Sequence, residues 1–241
     1  MRRVLSSVGI GAATVDTVLP RNELTPGEAL TVDVEIEGGD ADQQVDGLYF
    51  AFVTQYWSGT SHDTAVIDSV TVAEDFTIEA GSHRSIEVDV TVPQATPVTV
   101  GSTNVWLKTG LDIDWAIDPT DRDTIRVEPD ALRQTFFDAA ESLGYVFDEA
   151  DCKATHAVDP ARPFVQEFDF VSEWGPYVES GDLEAVFVPT ADGLTAVVQV
   201  EPEGGVDDFE EFADQSSEFT ITDPDATTVE DTLDDVLSDH T

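Results

Sequence analysis

The sequence predicts an all-β protein: one strand set over residues 1–128, a short linking helix at 129–144, a second strand set over 145–222 and an acidic amphipathic tail helix at 223–241. Three observations lead there. Apolar residues recur at every second position through most of the first 128 residues, the period of a strand with one buried face. Proline- and glycine-containing turn signals separate these runs at the spacing of a β-sandwich. The apolar period lengthens to a helical one in only two places, after Pro129 and after Asp225.

The opening residues imitate a twin-arginine export signal, but Ser6, Ser7, Gly9 and Gly11 break its apolar stretch and Asp16 follows almost at once. Ala13, Val15, Thr17 and Leu19 alternate instead, so a retained first strand is preferred to a cleaved leader. Thr25-Pro26-Gly27-Glu28 is a turn in which proline presets one φ and glycine takes the position that needs φ > 0. It leads into a strand with Leu30, Val32, Val34 and Ile36 on one face, closed by Gly38-Gly39.

Leu48 to Tyr56 is apolar on both faces, which marks a central strand with cover on each side. Ala65–Val72 and Ser85–Val92 are two further strands, with Gly81-Ser82-His83 between them. Asn104–Val127 is the spine of this first set. Leu111, Ile113, Trp115 and Ile117 face one way and Asp112, Asp114 and Ala116 the other, which predicts one buried and one wet face. Asp118-Pro119 ends that strand, because proline cannot donate to a ladder, and Thr124–Val127 starts another.

Beyond Glu128, Leu132, Phe136, Phe137, Ala140 and Leu143 have helical spacing, with Asp130 as the N-cap and Gly144 as the C-terminal glycine. Phe164, Phe168 and Phe170 then share a strand face. Leu183–Val188 and Leu194–Val200 form a hairpin closed by Ala191-Asp192-Gly193, and Glu218–Thr222 is the last strand. Val229, Leu233, Val236 and Leu237 give the tail an apolar stripe. Docking of that stripe on the chain's own sheet is preferred to its being offered to a partner.

Ten Lys+Arg stand against 51 Asp+Glu, a formal charge of −41 in 241 residues. Such self-repulsion strains a compact fold in dilute buffer. At molar salt the screening length falls to about 3 Å and the strain is relieved. The acidity is spread along the whole chain, so a halophilic solvation shell is preferred to a patch built for one basic partner. No basic stripe exists to hold phosphates, which disfavours nucleic acid, and no apolar run approaches the ~20 residues of a membrane span. The protein is expected in the cytoplasm.

Few residues suggest chemistry. Cys152, the only cysteine, and His156 lie in an expected loop with no second thiolate for a zinc site. The segment Gly9–Thr14 lacks the last glycine of a dinucleotide fingerprint. His62, Asp63, Glu74 and Asp75 have no spacing that fixes a metal site. The densest carboxylate group is Asp112, Asp114, Asp118, Asp121 and Asp123, but Ile113 and Trp115 interrupt it in strand alternation and no bidentate Glu follows. Arg122 is expected to pair with Asp118 or Asp123, as a polar latch or as solvated loop charges.

The segments Ser7–Gly11, Val15-Asp16-Thr17, Pro26-Gly27-Glu28, Gln43–Asp46, Thr54-Gln55-Tyr56, Thr109–Ile113, Ala116–Pro119 and Pro163–Phe168, in that order, resemble the SpoOM family of sporulation-control proteins. The resemblance implies an arrestin-like architecture, two β-sandwich domains side by side, acting as a non-enzymatic scaffold that binds protein partners through loops and strand edges. It implies no catalytic residue, no metal and no cofactor. The candidate residues for a partner-binding or interdomain polar cluster are Lys108, Asp112, Asp118, Asp121, Arg122, Asp123, Gln166 and Glu167. Asp114 departs from the basic or neutral residue common in the family. A homodimer through edge strands and, as the alternative function, a metal-dependent hydrolase using the acidic run at 112–123 stay open at this point.

Overall fold

A computed structural model of the chain describes residues 12–113, 118–155, 162–201 and 216–239. The chain divides into two compact units. Unit 1 comprises Met1–Thr54, Val66–Thr96 and Asn104–Val127; unit 2 comprises Gln55–Ala65, Pro97–Thr103 and Glu128–Thr241. Two pieces of the stretch read as the first domain, residues 55–65 and 97–103, therefore fold with unit 2.

Unit 1 is built from β1 (Thr14–Val18), β2 (Glu23–Leu24), β3 (Ala29–Glu37), β4 (Gln43–Trp57), β5 (His62–Ile78), β6 (His83–Thr91), β7 (Val105–Ile113) and β8 (Thr120–Val127), the last residues of β4 and the first of β5 belonging to unit 2. One sheet has the order β1-β3-β6; the other runs β4-β7-β8-β2, with β5 on the outer side of β4. Alternation does the sorting. Val32, Val34 and Ile36 of the first sheet meet Leu48, Phe50, Leu107, Leu111, Ile125 and Val127 of the second in one core. The turn before β3 forms as its sequence requires, with Gly27 at φ +81° and the Glu28 amide donating to the Thr25 carbonyl at 3.1 Å.

Two expectations for this unit change. β5 is 17 residues long and runs on to Ile78, well past Val72, with Asp75 at φ +52°. β7 has no continuous wet face: of its nine residues only Asp112 is exposed. The reason is that Trp106 packs with Ala51 and Val53 on the face opposite the core, and Tyr49 lies across Gly110, where a Cβ would come 2.2 Å from the phenol ring. The alternation expected from Asp114 to Ile117 lies outside the described residues, as do the amino-terminal residues before Ala12.

Unit 2 is an antiparallel meander of β9 (Tyr145–Ala154), β10 (Phe164–Ser172), β11 (Asp182–Pro189), β12 (Leu194–Glu201) and β13 (Ser217–Ile221). Trp57, at the end of β4, adds a parallel pairing with Lys153. Helices α1 (Ala131–Ser142) and α2 (Ala226–Asp239) pack on the sheet face that carries Phe168, Phe170, Leu183, Ala185, Ala196 and Val198. α1, read from the sequence as a link, thus contributes Phe136, Ala139 and Ala140 to this core. The tail docks through Val229, Leu233 and Leu237. Both ends of α1 follow their signals. The Asp130 carboxylate accepts from the Arg133 amide at 2.9 Å, and Gly144 takes φ +98° just beyond the last turn.

The segment Asp151–Ala154 is strand, not loop, and Cys152 is buried with its Sγ 3.9 Å from Thr103 Oγ1. A buried thiol on a strand is a packing residue. Its expected neighbour His156 lies outside the described residues.

Candidate functional site

The eight candidate residues fall into two groups, six in unit 1 and two in unit 2. In unit 1, β8 alternates so that Asp121 and Asp123 share the side of Ile125 and Val127, which lies against β1, while Arg122 projects from the other side. This decides the expected ion pair. Arg122 lies with its guanidinium 3.6 Å over the Trp106 ring and not against Asp118, which accepts from the Ile113 amide, or Asp123, its strand neighbour on the opposite face. Lys108 is its cross-strand partner on β7 and half-buried.

Asp118 accepts from the Ile113 amide at 3.1 Å, closing the end of β7, and is exposed, as is Asp112. Burial first, then the charges of Asp118 and Asp112, push the Tyr49 phenol up from its ordinary value, so these three groups share one end of that face. Asp121 and Asp123 face away from them. Among the described residues, Asp112, Asp118, Asp121 and Asp123 therefore do not converge on one point, as a metal-dependent hydrolase would need.

On the inner side, Asp121 Oδ2 accepts the Thr17 amide at 2.8 Å, and the Thr17 and Thr109 hydroxyls are 2.6 Å apart. Asp123 is half-buried, and its Oδ2 is a buried oxygen without a hydrogen-bond partner. Burial, then the charge of Asp121 and a hydrogen bond with it, then the charge of Asp16, push the Asp123 carboxyl up to about 7.

In unit 2 the candidates Gln166 and Glu167 point to opposite faces of β10. The Gln166 amide works as a peptide would: Nε2 donates to the Val98 carbonyl and Oε1 accepts from the Val98 amide, each at 2.7 Å, with Thr103 Oγ1 at 3.3 Å. It fastens residues 97–103 to the sheet. Glu167, 3% exposed, forms an ion pair with Lys153, one of the two lysines.

Cross-strand register extends this group. Asp169 stands opposite Glu149 on one side and Glu184 on the other, and Glu167 stands opposite Asp151. Burial, then Glu167, Glu149 and Asp151 outweighing Lys153, push the Asp169 carboxyl up to about 7. Burial works to lower the pKa of the Lys153 ammonium, but Glu167, Asp169 and Glu184 hold it raised. Among the described residues, Glu167, Asp169 and Glu184 are the carboxylates that bring one oxygen each within 4.8 Å of one another. A divalent cation fits such a trio by donor type, with Lys153 as a competitor for Glu167.

Nothing in the sequence marks Asp16, Thr17, Thr109, Lys153, Asp169 or Glu184 as a site residue. Glu167 and Asp169 do alternate with Phe168 and Phe170, which is a readable signal for a charged strand face. The pairing of that face with Lys153 and Glu184 depends on register and is not readable locally.

A family model described as "SpoOM protein" matches residues 1–204. The sporulation-control protein spo0M of Bacillus subtilis (strain 168) is 35% identical over 205 residues, 83% of this chain and 80% of that protein. The crystal structure of Spo0M from the same species superposes with a TM-score of 0.84 at 31% identity, covering 96% of this chain and 100% of that one. The all-β, arrestin-like fold expected from the sequence is therefore the fold of this chain. Among the described residues no helix is long and apolar enough to cross a membrane.

Proposed function

The chain belongs to the SpoOM family of sporulation-control proteins, and from that premise we propose that it is a non-enzymatic, cytoplasmic regulatory scaffold that binds other proteins. The observation that supports this reading is β5. It spans 17 residues and, among the described residues, pairs only with β4, with Val66 and Val70 55% and 48% exposed. A long strand of this kind offers a row of backbone donors and acceptors, and strand addition is a general way of binding an extended segment.

The occupant we assign is an extended segment of a partner protein carrying Lys or Arg at alternate positions. Asp63, Asp68, Glu74 and Asp75 border the valines and give this strand a local acidic character that suits close pairing with Lys or Arg. The exposed part of the candidate cluster, Asp112, Asp118 and Arg122, is read as a second contact for the same partner. The two units serve as the domains of the scaffold, with residues 55–65 and 97–103 belonging to the second. The spread of acid over the surface adapts this scaffold to molar salt.

The test is a pull-down at molar salt from native extract, comparing the unaltered chain with Val70→Pro, which removes one backbone donor from β5 and breaks its regular strand geometry. Capture of a specific protein with a basic extended segment, weakened by Val70→Pro, supports the reading. Capture of no specific protein refutes it. Self-association that Val70→Pro abolishes replaces the partner with a second copy.

A further inference from the structure

In unit 1, β1 is an edge strand among the described residues: one side pairs with β3, with Thr17 opposite Val34. The Thr17 amide points outward from that edge and is taken by a carboxylate from β8, while its hydroxyl is taken by Thr109 of β7. Two side chains of one sheet thus close the edge of the other where a strand would otherwise pair. The closure is made by an acid, and beside it stands a second acid, Asp123, with a buried oxygen that has no partner.

The surroundings supply no counter-charge among the described residues. β1 contributes the carboxylate of Asp16, and β7 places Thr109 and Leu107 opposite Asp121 and Asp123. Lys108, Arg122 and Arg126 alternate onto the other side of their strands, and β2 offers Glu23, exposed and opposite Arg126. Two neighbouring carboxylates in a half-buried site without a cation favour holding one proton, because sharing it converts repulsion into a hydrogen bond.

We propose that Asp121 and Asp123 form a proton-sharing latch that fastens the edge of β1 to β8, and that loss of this proton frees the β1 edge. When the proton leaves, both acids are charged, Asp16 adds to the repulsion, and the hold of Asp121 on the Thr17 amide weakens. The shifted titration of Asp123, near neutrality, agrees in direction with this geometry. The sign follows. A carboxyl whose pKa is higher in the latched state favours that state at low pH, and the preference disappears as pH rises through the latched value.

The latch is read from amide hydrogen exchange of Thr17 in the full chain at molar salt, corrected for the intrinsic pH dependence of exchange. Between about pH 6 and pH 8 the opening equilibrium of β1 is expected to rise about three- to tenfold, the upper figure being a full single-proton linkage. The central amides of β3 should show no such rise. Asp123→Asn, which donates a hydrogen bond without titrating, should make the Thr17 value independent of pH. The side-chain carboxyl 13C titration of Asp123 in the unaltered chain gives a second reading that does not depend on the variant folding, with a midpoint expected near neutrality. A Thr17 opening that is flat across this range overturns the proposal. So does a slope that survives Asp123→Asn, or an Asp123 carboxyl already ionised well below neutrality.

Discussion

Leu233→Ala asks whether the C-terminal helix is part of the folded core of unit 2. Leu233 is 0% exposed and packs with Phe136, Leu183 and Val198, so truncation removes three carbons from a site closed on every side. Deleting such a side chain loses its transfer free energy and leaves a cavity that α1 and the sheet fill only partly. The cost is expected to be about 2–5 kcal/mol. A control at the partly exposed Glu230, Glu230→Ala, which deletes no buried apolar group, should cost far less, about 0.5 kcal/mol. Tyr177→Phe removes the hydroxyl that reaches Asp234 Oδ1 at 2.7 Å and Ser238 Oγ at 3.0 Å, and should cost about 1 kcal/mol. Urea unfolding at molar salt, followed by tryptophan fluorescence, measures all three. If Leu233→Ala shifts stability no more than Glu230→Ala does, the helix is not docked in solution and the reasoning fails.

Three further outcomes follow from the same packing. Gly144→Ala should cost at least about 2 kcal/mol, because φ is +98° and a Cβ there would lie 1.7 Å from the Trp174 carbonyl oxygen; thermal unfolding reads it. Asp130→Ala removes both the cap of α1 and the carboxylate paired with the buried Arg133, for a combined cost of about 3–5 kcal/mol. The double variant with Arg133→Met should recover part of that loss in denaturant titration. The Asp169 carboxyl is raised to about 7, above its unfolded value of about 3.9, so its contribution to stability is full below the unfolded value and declines as pH rises through about 7. Asp169→Asn should flatten that part of the stability–pH curve, and an unchanged curve would contradict the assignment.

Several features of the fold are legible from local sequence. The alternation of β3, the cap at Asp130, the glycine at Gly144, the hairpin whose Thr190 amide meets the Gly193 carbonyl at 2.9 Å and the apolar stripe of α2 each depend on neighbours a few residues away. Periodicity and turn chemistry carry such information because a strand or helix must turn one face to a core, whatever that core is.

The candidate cluster was only half legible for the opposite reason. Its residues are neighbours in sequence, yet alternation along β8 sends Arg122 to Trp106 and its two neighbours inward, toward a strand about a hundred residues earlier. The second face of β7 reads as wet because nothing near it in sequence covers it; Tyr49, Ala51 and Val53 on β4 do. Cys152 reads as a loop residue because the alternation of β9 is blurred by Asp148, Glu149 and Asp151 on its outward side.

The sequence by itself determined that this chain is all-β, where most of its strands and both described helices lie, and which family it belongs to. Tertiary structure alone decided which acids face inward, which cation each can reach and which unit residues 55–65 and 97–103 join. The physical reason is range. Backbone period and capping are settled within a few residues, whereas the burial, pairing and protonation of a carboxylate are settled by whichever strand the fold lays against it.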